Sequence, residues 1–138
     1  MKRTALKRKK RLRKKSLAPM RILWRKAWEC FSLYIRTRDK ECVTCGSTQN
    51  LQAGHFVHKS QTSSIYFEPT NVHAQCRQCN FFMSGNLGLY CQFIIRKYGQ
   101  AHFDWLLEQR GKPRKWSRAD LEQVLHEFTA LRNEKDMR

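Results

Sequence analysis

Apolar residues recur at helical spacing in several parts of this chain and alternate in one. From Met20 to Thr37, Trp24, Trp28, Phe31 and Ile35 fall four, three and four residues apart, with Leu23, Ala27, Cys30 and Tyr34 beside them. This spacing predicts an amphipathic helix with a wide apolar face, started near Pro19, with Arg21, Arg25, Lys26, Arg36 and Arg38 on its other side. Leu51, Ala53, His55 and Val57 alternate with Gln52, Gly54, Phe56 and His58, which is the period of a strand. Gln61 to Ser64 reads as a turn and Ile65-Tyr66-Phe67 as a second short strand. Helical spacing returns from Asn86 to Tyr98 through Leu87, Tyr90, Cys91, Ile94 and Ile95, and Gly99 suits the end of that helix. A short helix is predicted over 101–110. The last helix runs from Ser117 to Asn133, with Ser117 and Asp120 spaced to cap it and Leu121, Val124, Leu125, Phe128 and Leu131 as its apolar stripe.

Length adds little to this picture, since 138 residues suffice for one domain with a modest core. Charge adds more. Residues 1–15 hold ten Lys or Arg and no acid, and the whole chain carries 28 basic against 11 acidic residues, a formal +17. Beyond residue 20 there remain 18 basic against 11 acidic side chains, so the body is basic as well as the tail. A chain of this kind needs polyanionic company, and nucleic acid is the first candidate. Residues 1–18 are read as a disordered, DNA-binding tail through Lys7, Arg8, Lys9, Lys10, Arg11, Arg13, Lys14 and Lys15. Arg25, Lys26, Lys59 and Arg77 are the candidate contacts from the body. A solvated basic tail or helix face is the alternative at each of these places. Where such a tail binds DNA, affinity falls steeply with salt. No segment has the apolar length of a membrane span, and no apolar core follows the N-terminal charges as in a signal peptide, so the expected setting is intracellular.

Six cysteines in a reducing compartment favour metal binding over disulfides. Cys42-x-x-Cys45 and Cys76-x-x-Cys79 are two matching pairs with 30 residues between them. A two-residue spacer turns both thiolates of a pair toward one ion, and two such knuckles close a tetrahedron around zinc. Four protein ligands leave no open position, so this zinc is expected to be structural, holding the ends of the insert together. Cys30 and Cys91 lack such partners and lie on apolar helix faces, as buried core thiols do.

Between the knuckles lie residues suited to phosphodiester hydrolysis. A metal-dependent nuclease needs a base to activate water and a divalent ion to stabilise the phosphorane and the leaving oxygen. A neutral histidine serves as that base near pH 7, and an asparagine oxygen can hold Mg²⁺. His55 follows Ala53-Gly54, Asn71 precedes the second knuckle, and Asn80 follows it directly. Taken singly, His55 also suits a structural position on a strand, and Asn71 and Asn80 suit turns and helix caps. Glu68 is the sole carboxylate between the knuckles, which excludes a two-metal carboxylate site.

In their order, CxxC, His, Asn and CxxC-Asn resemble HNH endonucleases with a cysteine-ligated zinc, in the branch of phage endonuclease VII, where Asn80 stands for the final histidine. Ala53-Gly-His-Phe56, Phe67-Glu-Pro-Thr-Asn-Val-His-Ala-Gln-Cys76, Cys79-Asn80 and Ser84-Gly-Asn86 are similar to the NinG/Rap recombination nucleases of lambdoid phages. The resemblance covers about residues 39–99. It implies an α+β fold: a small zinc-stapled ββα-metal (HNH) core flanked by N- and C-terminal helices. The corresponding division is a tail over 1–18 and one nuclease domain over 19–138, with the core at 39–99 and C-terminal helices at 100–134.

The same resemblance implies His55 as general base, Asn80 as a ligand of the catalytic Mg²⁺ or Mn²⁺, and Asn71 as a brace for the loop that holds His55. Many HNH enzymes have an aspartate just before the histidine as a second metal ligand. This chain has Gly54, as the NinG/Rap pattern does, so a second ligand must come from elsewhere; His73, Glu68 and His58 are the candidates. Asn86 reads first as a cap of the next helix. The implied activity is Mg²⁺-dependent cutting of branched DNA, such as Holliday junctions or D-loops, in the cytoplasm of a bacterial host by a phage- or prophage-encoded enzyme. Symmetric incision would need two active sites and therefore a homodimer, with the Trp24–Ile35 stripe or the C-terminal helix as its interface. The alternatives are a general HNH nicking endonuclease on duplex DNA and a non-catalytic zinc DNA-binding module.

Overall fold

The computed structural model describes residues 17–137, so the basic cluster Lys7–Lys15 lies outside the described residues. The fold is α+β. Helix α1 (Met20–Asp39) leads through an irregular segment to strand β1 (Leu51–His55) and, after a second one, to strand β2 (Val72–Cys76). A π-helical turn over Gln78–Phe82 follows, then α2 (Leu87–Tyr98), α3 (Gln100–Glu108) and α4 (Arg118–Asp136). The strands form an antiparallel pair in which Leu51 faces Cys76, Gly54 faces His73 and His55 faces Val72.

Helix α1 begins after Pro19, whose φ of −55° is already helical and whose missing N–H costs nothing at a helix start. Its stripe packs inside the chain: Leu23, Ala27, Cys30, Phe31 and Ile35 are buried against Leu121, Val124 and Phe128 of α4. Each large side chain fully buried there contributes about 2 kcal/mol. The Trp24–Ile35 stripe therefore serves the core and is not free to form an interface between copies. Ser117 caps α4 in the predicted way, accepting from the Asp120 N–H while Asp120 accepts from the Ser117 N–H.

A second cluster of Phe56, Val57, Ile65, Tyr90, Ile94 and Leu106 lies on the other side of the sheet, under α2 and α3. The two clusters explain the irregular segment over 56–71. Ile65-Tyr66-Phe67, expected as a strand, forms turns instead. Its apolar side chains are split between cores, with Ile65 in the second and Phe67 in the first. The strand that does pair with β1 is Val72–Cys76, and all five of its residues are buried. Val57, placed in the first strand by its alternation, lies beyond the end of β1.

One largely buried ion pair ties α1 to this sheet. The Arg38 guanidinium donates to both oxygens of Asp39, at 2.6 and 2.9 Å, and also to the Pro69 and Val72 carbonyls. Asp39 in turn accepts from the Ala74 N–H at 2.8 Å. Burial opposes both charges, but the hydrogen bonds outweigh it. They leave Arg38 above its ordinary pKa and Asp39 below. Arg38 thus faces inward, not toward solvent as its place in the helical pattern suggested. A buried pair of this kind fixes geometry more than it adds stability.

Candidate active site

The four cysteines of the two knuckles meet. Their sulfurs all lie within 4.8 Å of one another, with 3.6 Å between Cys45 and Cys76. Four sulfurs at about 2.3 Å from one zinc would be about 3.8 Å apart, so the cluster fits a metal such as zinc with little adjustment. None of the six cysteines forms a disulfide. The thiols also compete for charge. Burial raises the Cys42 pKa, but bonds from Thr44 and from backbone N–H groups bring it down to about 6. Cys45 gains from the Ser47 N–H, yet burial and its thiol neighbours push it up to about 12. Four thiolates at this spacing require a cation between them. Cys30 is buried, and Cys91 is half-buried.

The backbone after the second knuckle is bent to serve this cluster. Ser84, Gly85 and Asn86 all adopt positive φ, at 49°, 94° and 48°, a left-handed run that reverses the chain before α2. Asn86 takes the N-cap position of α2, but its side chain makes no cap; it donates to Cys79 Sγ at 3.5 Å.

Beside the cysteines opens a cleft of about 570 Å³ lined by His55, Asn80, His58, Lys59, Trp28 and Tyr66, among others. His55 ends β1. Its ring stacks on Trp28, 5.2 Å between centroids and 12° between planes, and is flanked by Tyr66 at 4.8 Å. Nε2 lies 3.0 Å from the Tyr66 carbonyl, which can only accept, so Nε2 carries the proton and Nδ1 keeps its lone pair. Burial pushes the pKa of this ring down to about 4, with the charges of His58 and Lys59 adding to the effect. At neutral pH His55 is an uncharged base with one nitrogen spoken for.

Asn71 is fully buried next to it. Its Oδ1 accepts from the Val57 N–H at 2.8 Å, its Nδ2 donates to the Val57 carbonyl, and its own carbonyl accepts from the Phe56 N–H. These bonds hold the two residues that follow His55. Asn80 sits in the π-helical turn, partly exposed, and donates to Gln52 Oε1 at 2.9 Å. A Cβ added to Gly54 would come within 2.3 Å of Gln75 Oε1 and 2.8 Å of Asn80 Oδ1. A side chain at that position would have to displace Gln75 or Asn80.

The structure brings His55, Asn80 and His58 to one cleft, with Lys59 at its rim. His58 is exposed and its Nδ1 accepts from the Ser60 N–H. It does not bring His73 or Glu68 there. His73 is fully buried on the opposite face of the sheet, with Nδ1 bonded to Tyr90 and Nε2 to Tyr98. Neither nitrogen is left to hold a metal. Glu68 turns its carboxylate to Thr70 and lines a separate hollow beside Arg114 and Trp116. Of the body's basic candidates, Arg25 pairs loosely with Glu29, Lys26 is exposed on α1, and Arg77 lies over the Phe82 ring.

Residues 2–137 match the family model described as Bacteriophage Lambda NinG protein. The chain belongs to the NinG family. It is 30% identical over 124 residues to Protein ninG of Salmonella phage P22, covering 87% of this chain and 61% of that protein. Against Protein ninG of Escherichia phage lambda the figures are 29% over 124 residues, 87% and 60%. Against Protein ninG of Escherichia phage 933W they are 31% over 110 residues, 77% and 55%. The chain thus spans between about half and three-fifths of the curated relatives it matches. No solved structure matches it. Among the described residues, no helix is long and apolar enough to cross a membrane.

In this NinG-family chain several residues of the cleft escape sequence reasoning. Trp28 reads as one more member of the α1 stripe, and nothing in its spacing says that it stacks on His55. Tyr66 contributes a backbone carbonyl, which carries no residue signature. Phe81 lines the cleft's edge, and it and the neighbouring Phe82 are 66% and 62% exposed, an exposure that two adjacent aromatics after a CxxC-Asn motif could have suggested.

Proposed function

We propose that this chain is a metal-dependent endonuclease of the HNH type acting on DNA, with branched recombination intermediates as its substrate. The observation that carries the reading is His55. It is a neutral imidazole whose Nε2–H is tied to a backbone carbonyl and whose Nδ1 is unbonded, in the same basic-rimmed cleft as the Asn80 carboxamide. That is the arrangement a general base for water needs. In this reading the water oxygen attacks phosphorus while its proton passes to His55 Nδ1. The bond from phosphorus to the 3′ oxygen breaks and that oxygen takes a proton from solvent water, leaving a 3′-hydroxyl and a 5′-phosphate. Asn80 would hold a Mg²⁺ or Mn²⁺ ion, which when bound stabilises charge on the phosphoryl group and the leaving oxygen. Asn71 keeps the backbone after His55 in register with the cleft.

The four cysteines would hold structural zinc, and because Cys79 precedes Asn80 directly, the zinc would also set where Asn80 stands. Lys59 and Arg110, which line the cleft, suit phosphates, and the exposed Phe81 and Phe82 suit stacking on unpaired bases. A preference for branched DNA follows from the family resemblance, as does a working site in the cytoplasm of a phage host. Two incisions on one junction would need two copies of the chain; with the α1 stripe buried, the outer face of α4 is the remaining candidate for their contact.

The test is cleavage of a labelled four-way junction against a linear duplex of the same sequence in Mg²⁺, with His55→Ala alongside. Junction-selective cutting that the variant loses supports the whole reading. Equal cutting of both substrates reduces it to a general nicking endonuclease. Binding without cutting in Mg²⁺ or Mn²⁺ replaces it with a zinc DNA-binding module.

A further inference from the structure

One side-chain nitrogen or oxygen in the described residues is both buried and unpartnered: Gln75 Oε1. Gln75 is 0% exposed, and leaving such an acceptor unsatisfied costs about 1–3 kcal/mol. Reversing the carboxamide does not relieve it. Gln75 Nε2 donates to the Gly85 carbonyl at 2.7 Å and to Thr44 Oγ1 at 3.3 Å, and a carbonyl accepts only from the nitrogen end. The oxygen is therefore held where it is, in the space that a side chain at Gly54 would fill. Asn80 Oδ1 borders that same space. Gln52, paired with Gln75 across the sheet, contributes a third carboxamide by accepting from Asn80 Nδ2.

Two carboxamide oxygens set against the same side of Gly54, one of them buried without any donor, offer the protein half of a hard-cation site. Taking the proposed nuclease reading as its starting point, we propose that Gln75 Oε1 is the second protein ligand of the divalent cation, beside Asn80 Oδ1. Gln75 would supply from β2 the oxygen that Gly54, on β1, lacks. This also accounts for the glycine: an aspartate at position 54 and the glutamine at 75 would contend for one volume. Because both ligands are neutral, the ion should bind weakly to the free protein and more tightly once DNA phosphates add their charge.

The experiment is a Mg²⁺ titration of the zinc-loaded full chain, read by NMR on the side-chain carbonyl carbons of Gln75 and Asn80. The expected result is that both signals shift with one midpoint. A shift at Asn80 with none at Gln75 overturns this assignment and leaves the nuclease reading intact. No shift at either residue overturns both. Gln75→Met should raise the Mg²⁺ midpoint about ten-fold or more while zinc content and far-UV circular dichroism stay as they are, and an unchanged midpoint speaks against the assignment. As a complement, Gly54→Asp should lose zinc or fold poorly through the clash with Gln75. Adding Gln75→Ala to it should restore both folding and Mg²⁺ binding. If the double variant binds Mg²⁺ no better than Gln75→Ala alone, the two positions do not share a ligand site.

Discussion

His55 and His73 stand on opposite faces of one two-stranded sheet, and only one of them keeps a ring nitrogen free of hydrogen bonds. Both rings are held neutral by burial, His55 at about 4 and His73 at about 3, so a depressed pKa does not separate them. Hydrogen bonding does. The Tyr90 hydroxyl donates to the Gly54 carbonyl at 2.8 Å, so its oxygen accepts from His73 Nδ1–H, and the other nitrogen of His73 accepts from Tyr98 O–H. The proton is on Nδ1 in His73 and on Nε2 in His55. His73 is a closed link in a chain from Tyr98 through Tyr90 to the backbone just before His55. His55 ends its own chain at Tyr66 and leaves a nitrogen free.

The largest effects should come from exchanging the two histidines' fates. His55→Ala should lower cleavage about a thousand-fold, in the range typical of a lost general base, and leave the thermal midpoint within a few degrees of the parent. His73→Ala should do the reverse. It leaves Tyr98 without its acceptor and opens a cavity in the second core, at a cost of about 3 kcal/mol in denaturant unfolding. Its folded fraction should still cut within a few-fold of the parent rate. If both variants lose activity at unchanged stability, the distinction between working and structural histidine fails.

The pH dependence sharpens the same contrast. Unfolded histidine takes up a proton near pH 6.5, while the folded rings resist until about 4 and about 3. Below pH 6.5 the unfolded chain therefore binds more protons than the folded one, and stability falls as the pH drops. It is complete above about pH 6.5 and its histidine part is lost once the pH has passed through the folded values. His73→Gln should flatten much of this slope between pH 6 and 4, measured by urea unfolding. If His55 is the base proposed above, the acid limb of kcat/KM owed to it should lie near pH 4 and not near 6.5; a limb at the ordinary value would mean that the burial of this ring does not persist during cleavage.

A smaller effect belongs to the ring that orients His55. Trp28→Leu keeps an apolar side chain in the core but removes the stacked plane. We expect kcat to fall about ten-fold with KM little changed, because orientation acts on the chemical step more than on binding. An equal fall in DNA affinity would point to Trp28 touching the substrate instead.

How much of this could be read beforehand varies with the physics behind each residue. Helices α1 and α4 were legible because one-sided burial writes a 3.6-residue period and because Pro19, Ser117 and Asp120 mark ends by local chemistry. Strand β2 was not, since Val72, His73, Ala74, Gln75 and Cys76 are buried on both faces and no alternation survives. Ile65–Phe67 misled for the opposite reason, three apolar residues in a row that serve two cores from a turn. The cysteine cluster was legible from spacing alone. His55, Asn71 and Asn80 were legible as a motif, whereas the places of Gln75 and Trp28 beside them rest on contacts that only packing creates. His73 and Glu68 have ligand chemistry by type, and it is their hydrogen bonds that take them out of the cleft.

The finest test of the contrast lies in two tyrosines that share one histidine. Tyr98→Phe removes the hydroxyl donor to His73 Nε2, a single half-buried hydrogen bond, and should cost about 1 kcal/mol with no change in cleavage. Tyr90→Phe removes both the acceptor for His73 Nδ1–H and the donor to the Gly54 carbonyl. It should cost more in stability, and it alone should also lower kcat, by a few-fold, since the freed carbonyl belongs to the residue before His55. Urea unfolding and single-turnover cleavage on the two variants measure this directly. If Tyr98→Phe and Tyr90→Phe lower kcat alike, the His73 chain acts on the cleft as a unit, and the division between its two ends disappears.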